Sequence, residues 1–434
     1  MASRRIWAAA AAAGLALTLG ACSSDGNSEA PGETVELTFW GKTQGQQAQV
    51  GLWNEQNPDI QVTYVEQGGD VDLTQALQNA TAADNAPDLF ETPRSYTVSF
   101  LVDGVSRDIS EWFDNDDGAF AEGAFDFVHV GDVVVGVPYA TNPTFNAING
   151  ATFDRFGLEA PLTWDEMIDQ ATAMQQQGDV KSFNLPGEDT SYLRDLATQF
   201  GAEWWQPEGD AWRVGFTSRE SLAAGDVIQR AIDANLVSNY TYIEWDALMQ
   251  YFSSGQLSQF TTSTWQLPVY EENFATSVGD WKLAPYPAES DADDLVSPSY
   301  YNVYGVSPSS EHPEAAVEFA RWLATDDAAV SILADKTDGA AAFPVVADPS
   351  GYIEQLLPEN FLGDSKSDAP AIIEGAVETS RSMREGPNQV AASEELVSWW
   401  ARALTKEVTM REVLEHIQEW TIADLESQNI KVAE

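Results

Sequence analysis

Three apolar strand patterns separated by two helical ones open the folded part of this chain, and that alternation constrains its fold more than any other feature. Val35, Leu37 and Phe39 alternate with Glu36 and Thr38, which reads as a strand from Thr34 to Trp40. Gln44 to Gln56 reads as a helix, Ile60 to Val65 as a strand, Val71 to Ala83 as a helix and Asp88 to Glu91 as a third strand. Strands joined through helices run parallel, so the expected class is α/β. In open sheets of this kind ligands bind beyond the carboxyl ends of the strands. The residues at that edge are Lys42, Thr43 and Gln44 after the first strand, and Thr92, Arg94, Ser95 and Tyr96 after the third.

Farther along, the apolar run Val133 to Val137 leads through Pro138 and Tyr139 into Asn142, and a new lobe begins near Tyr139. Thr163 to Glu166 has the spacing of a capping box ahead of Met167, Ile168, Ala171 and Met174, and Thr409 to Glu412 repeats it ahead of Val413, Leu414 and Ile417. Helices are expected at Asp226 to Ala234, at Trp245 to Ser253 and from His312-Pro313 onward, and Pro285 and Pro287 mark a second extended crossing.

The amino-terminal end bears on compartment. Arg4 and Arg5 precede an apolar run from Ile6 to Leu19, too short for a membrane span and of the length of a signal-peptide core. Leu19-Gly20-Ala21-Cys22 resembles a bacterial lipobox, so residues 1–21 are expected to be a leader, Cys22 a lipid anchor, and residues 22–33 a flexible tether. Export by the general or the twin-arginine route is left open. Cys22 is the only cysteine, which excludes an intramolecular disulfide and leaves stability to core burial. A formal net charge of -48 argues against nucleic acid as a partner.

Fragments in a fixed order along the chain resemble a known family: LTFWG at 37–41, NEQNPDIQV at 54–62, NAPDL at 85–89, VGVPY at 135–139, FDRFGL at 153–158 with PLTWDE at 161–166, STW at 263–265, AAVEFARWL at 315–323 and FP at 343–344. Together they are similar to the extracellular solute-binding proteins, family 1, of carbohydrate importers. The resemblance implies a two-lobed periplasmic-binding-protein-like fold of type II, three crossings, an interlobe cleft and hinge closure on the ligand. The implied partition puts 34–138 and 288–335 in lobe 1, 139–280 and 340–434 in lobe 2, and hinge segments at 281–287 and 336–339. The implied partners are a carbohydrate and the membrane permease subunits of an ABC transporter, with the membrane reached through Cys22 and the protein a monomer on the outer face of the cytoplasmic membrane.

A sugar presents hydroxyls around apolar C–H faces, so its site needs polar rims and flat aromatic surfaces. The resemblance places a stacking tryptophan at Trp265 and a polar contact at Asn142, with Glu188, Tyr192, Tyr300 and Tyr301 as further cleft residues. Arg94 suits a hydroxyl or a carboxylate. The second loop has Thr92 and Ser95 where related sugar binders often have tryptophan or aspartate, so the identity of the sugar does not transfer.

Other chemistries find little support. Gly41-Lys42-Thr43 lacks the first glycine of a phosphate loop, because Glu36 stands there. The acidic turn Asp114 to Gly118 places its glycine one position early for calcium. His129, His312 and His416 share no ligand spacing, and no Gly-x-Ser-x-Gly elbow is present, so neither metal nor cofactor is expected. A surface glycoside hydrolase or lyase, and a sensor subunit that presents its ligand to a receptor, remain as alternative readings.

Overall fold

The computed structural model describes residues 34–92, 96–113, 118–121, 123–125, 127–274, 276–290 and 294–433. The leader, Cys22, the tether, Arg94, Ser95 and the acidic stretch 114–117 lie outside the described residues.

The opening alternation forms as expected. Strand β1 (Val35–Gly41) is followed by helix α1 (Gln46–Gln56), strand β2 (Ile60–Glu66), helix α2 (Asp70–Ala82) and strand β3 (Leu89–Thr92), and β1 pairs in parallel with both β2 and β3. Burial follows the alternation, with Leu37 and Phe39 inside. Phe39 meets Tyr304 edge-on at 5.5 Å and Phe319 at 5.9 Å, aromatic packing that adds to its area burial. Three antiparallel strands, contributed from far along the chain, complete the six-stranded sheet: Tyr301–Val306 beside β3, then Val137–Thr141, then Phe343–Pro344 at the edge.

A second sheet has Phe145–Asn149 at its centre, flanked antiparallel by Gln259–Thr262 and Trp281–Ala284. Beside it lies a helical core built on Trp164, Trp204, Trp205 and Trp400. Their indole N–H groups donate to protein acceptors: Trp164 to Gln199 Oε1 at 2.8 Å, Trp205 to Asn388 Oδ1 at 3.0 Å and Trp400 to the Pro186 carbonyl at 2.8 Å. Much of the tryptophan content is therefore structural.

The chain passes between the two sheets at 142–144, with a second passage at 297–300 alongside it. Asn142 N–H donates to the Tyr300 carbonyl at 3.0 Å, Thr144 N–H donates to the Pro298 carbonyl at 2.9 Å, and the Thr141 and Ser299 hydroxyls are 2.8 Å apart.

These positions correct parts of the sequence-based partition. Trp281–Ala284, assigned to a hinge, is an edge strand of the second sheet, because Trp281 is fully buried and stacks on Phe361 at 6.0 Å. Ala288, assigned to lobe 1, pairs with Thr163 at the start of the helix Trp164–Gly178. Phe343–Pro344, assigned to lobe 2, closes the first sheet.

Of the two capping boxes, Thr409 and Glu412 make both reciprocal bonds. At the other, Thr163 Oγ1 accepts from Glu166 N–H at 3.2 Å, while the Glu166 carboxylate accepts from Leu162 N–H instead of Thr163 N–H. Among the described residues no helix is long and apolar enough to cross a membrane.

Candidate functional site

Two adjoining cavities lie between the sheets and share Trp265 and Tyr300 as a common wall. The larger, about 370 Å³, is lined from the side of the first sheet by Lys42, Thr43, Glu91, Thr92 and Asn302 with Asp70 of α2, and from the passage by Asn142. The smaller, about 250 Å³, is lined by Thr144, Asp189, Ser191, Tyr192, Asp195, Tyr242 and Ser263. Lys42 and Thr43, just after β1, and Thr92, the last residue of β3, stand at the carboxyl ends of their parallel strands.

Glu91 organises the first-sheet wall. It is 2 % exposed, yet its carboxylate has a full set of partners: Oε1 accepts from the Thr43 hydroxyl at 2.8 Å and the Tyr139 hydroxyl at 2.8 Å, and Oε2 accepts from Lys42 N–H at 3.1 Å and Gln46 Nε2 at 3.1 Å. Lys42 Nζ sits 3.2 Å from Glu91 and 3.2 Å from Asp70. Burial alone would push the Glu91 carboxyl up, but the Lys42 ammonium and these donors outweigh it and hold it below the usual carboxylate range. Burial would likewise lower the Lys42 ammonium, and Glu91 and Asp70 reverse that, leaving it above its ordinary value. The pair fixes Lys42 and Thr43 in the cavity wall. Sequence inspection missed Glu91, although an acid inside the buried β3 pattern was the available signal, since a charge there has to be paired.

Trp265 is held differently. It lies 41 % exposed at the mouth of both cavities, on a turn whose Thr264 is fully buried and donates to the Ala341 carbonyl at 3.1 Å. Gln266 Oε1 accepts from Ser263 N–H at 3.2 Å. The turn is braced on both sides of an indole left open to solvent, a preorganised flat surface.

Lys42, Thr43, Thr92, Asn142, Trp265 and Tyr300 come together around the larger cavity, and Tyr192 joins Trp265 and Tyr300 around the smaller. The other described candidates do not line them. Gln44 turns away and donates to the Thr337 carbonyl at 3.0 Å. Tyr96 packs on Phe100 at 5.2 Å in an apolar cluster. Glu188 is exposed and accepts from Tyr242 N–H at 2.9 Å, bracing a wall residue from outside. Tyr301 faces a separate cavity with Arg381 and Arg384, because neighbouring residues on an extended chain point to opposite sides. Among the described residues no group of three His, Cys, Asp or Glu side chains is arranged to hold a metal ion.

No curated protein sequence matches the chain. Among solved structures it is similar to the galacto-N-biose/lacto-N-biose I-binding protein of the ABC transporter from Bifidobacterium longum in complex with lacto-N-biose, at 21% identity and a TM-score of 0.78, over 93% of this chain and 99% of that one. It is also similar to the ABC transporter associated binding protein from B. animalis subsp. lactis Bl-04 in complex with beta-1,6-galactobiose, at 17% identity and a TM-score of 0.74, over 92% and 100%. A third likeness is to the cyclic alpha-maltosyl-1,6-maltose binding protein of Arthrobacter globiformis, at 16% identity and a TM-score of 0.73, over 89% and 97%. At such identities the likeness speaks to the two-lobed fold. Residues 40–330 match the family model described as bacterial extracellular solute-binding protein, and the chain belongs to that family.

Proposed function

We propose that this protein is the substrate-binding component of an ABC importer, capturing an oligosaccharide between its lobes and delivering it to membrane permease subunits. One observation carries the reading: a preorganised, solvent-open indole, Trp265, joins two cavities whose walls carry hydroxyls, amides, carboxylates and the Lys42 ammonium among apolar groups. That combination complements a sugar, whose C–H faces stack on aromatic rings and whose hydroxyls need donors and acceptors. The similar binding proteins, two of them in complex with lacto-N-biose and beta-1,6-galactobiose and a third named for a cyclic maltosyl-maltose, support the same ligand class. Lys42, Thr43, Thr92, Asn142, Tyr192, Trp265 and Tyr300 are the proposed contacts. The two lobes close on the ligand and act by binding, as a monomer without catalysis.

The test is a panel of oligosaccharides incubated with purified protein. A binder shows saturable thermal stabilisation and returns the sugar intact, whereas shortened products would sink the reading in favour of a hydrolase or lyase.

The proposed location is the outer face of the cytoplasmic membrane, through a lipid on Cys22; the Leu19-Gly20-Ala21-Cys22 sequence supports it. Cys22→Ser is expected to move the protein from the membrane fraction to the medium. Retention in the membrane would overturn the anchor.

A further inference from the structure

Behind the smaller cavity lies a pocket of about 40 Å³, and four polar atoms of its lining residues have no hydrogen-bond partner in the protein. It adjoins that cavity through the shared wall of Asn184, Tyr192, Tyr242 and Thr261. The strand register pairs Asn146 with Thr261 and Ile148 with Gln259, which puts Asn146, Thr261 and Gln259 on one face of the second sheet. On that face Ile148 clusters with Met174 of the helix Trp164–Gly178, and Met167 of the same helix lines the pocket, surroundings in which an apolar side chain would be the ordinary choice.

Asn146 and Gln259 are each 1 % exposed and both line the pocket. Neither Asn146 Nδ2 nor Asn146 Oδ1 has a hydrogen-bond partner in the protein, and the same holds for Gln259 Oε1 and the Tyr192 hydroxyl. Buried polar atoms are almost always satisfied, and an amide orphaned at both ends is a group waiting for a partner. The remaining lining sets the apolar side chains of Met167, Phe183, Phe252 and Phe260 beside the polar ones of Ser182, Asn184 and Thr261.

The geometry points to a specificity pocket for the acetamido substituent of an N-acetylated amino sugar. This deepens the proposed function and rests on it. An acetamido N–H would donate to Asn146 Oδ1 or Gln259 Oε1, its carbonyl would accept from Asn146 Nδ2 or the Tyr192 hydroxyl, and its methyl would meet the apolar wall. A lone hydroxyl supplies neither the methyl nor separated donor and acceptor atoms. At about 40 Å³ the pocket exceeds the roughly 10–15 Å³ that one water needs.

Matched sugars test this on the unaltered protein: N-acetyllactosamine against lactose, N,N′-diacetylchitobiose against cellobiose, and N-acetylglucosamine against glucose, by calorimetry. The N-acetylated member of at least one pair is expected to bind about tenfold more tightly or better, the size of one or two well-made buried hydrogen bonds. Asn146→Ala and Gln259→Met are each expected to bring that ratio towards unity while the affinity for the unacetylated partner changes little. Equal binding within every pair would show that the pocket holds only water, overturning the inference and leaving the sugar reading intact. Binding by no member of the panel, with no stabilisation, would overturn both.

Discussion

Glu91→Ala is expected to destabilise the protein by about 3–5 kcal/mol, the scale for removing one partner of a buried ion pair. The carboxylate accepts from Thr43, Tyr139, Lys42 and Gln46, so its removal leaves four donors without that acceptor and Lys42 with only the more exposed Asp70. Chemical denaturation of the ligand-free protein measures the loss; a change below about 1 kcal/mol, the range of surface pairs, would show that the network is weakly coupled to the fold. Glu91→Gln keeps one acceptor oxygen and is expected to lose less. Because Lys42 and Thr43 line the larger cavity, both variants are also expected to weaken sugar binding.

The same group sets an acid limit. Its folded pKa is depressed, so the unfolded chain binds the proton more readily, and the contribution of Glu91 is fully present above the unfolded value of about 4.3. It is lost as pH falls below that value and through the folded one. Stability of the unaltered protein should therefore fall more steeply on acidification than that of Glu91→Gln, over the acid side of about pH 4.

Trp265→Ala is expected to weaken sugar binding at least tenfold, about 1.4 kcal/mol or more, with the melting temperature of the ligand-free protein nearly unchanged. The two halves of this expectation separate a binding tryptophan from a packing one. Trp164, Trp204, Trp205 and Trp281 are at most 2 % exposed, and truncating any of them opens a cavity in a core. Trp265, at 41 % exposed, has little core to lose. Unchanged affinity, or a large fall in melting temperature, would assign Trp265 to structure. Trp265→Phe retains a flat ring on the same braced turn and should recover part of the affinity.

How much of the site was legible differs from residue to residue. Lys42, Thr43 and Thr92 followed from strand-helix alternation, because the end of a parallel strand is a definite place in space once the topology is known. The same reasoning picked Gln44 and Tyr96, which are adjacent in sequence but turn elsewhere. A hydrogen bond to the 337 carbonyl captures one, and an aromatic cluster captures the other. Trp265 and Asn142 came from family resemblance, and their burial could not be read from the chain. Glu91, Asp70 and Asn302 were missed because each looked like an ordinary polar residue until its neighbours were known.

What the sequence determined by itself was the local order: the period-two strands at 35 and 60, the helices beginning at Pro313 and Met410, and the parallel pairing around β1, all consequences of spacing within a few residues. The tertiary structure alone decided what distant segments do when they meet. It inserted Tyr301–Val306 between β3 and Val137–Thr141, drew Trp281 into a core instead of a hinge, and matched Asn146 with Thr261 and Ile148 with Gln259 across the second sheet. The physical reason is that strand register and side-chain satisfaction are properties of pairs. Glu91 is satisfied only because Lys42 is folded beside it, and the Asn146 amide is orphaned only because the sheet encloses it with nothing in the protein to bind.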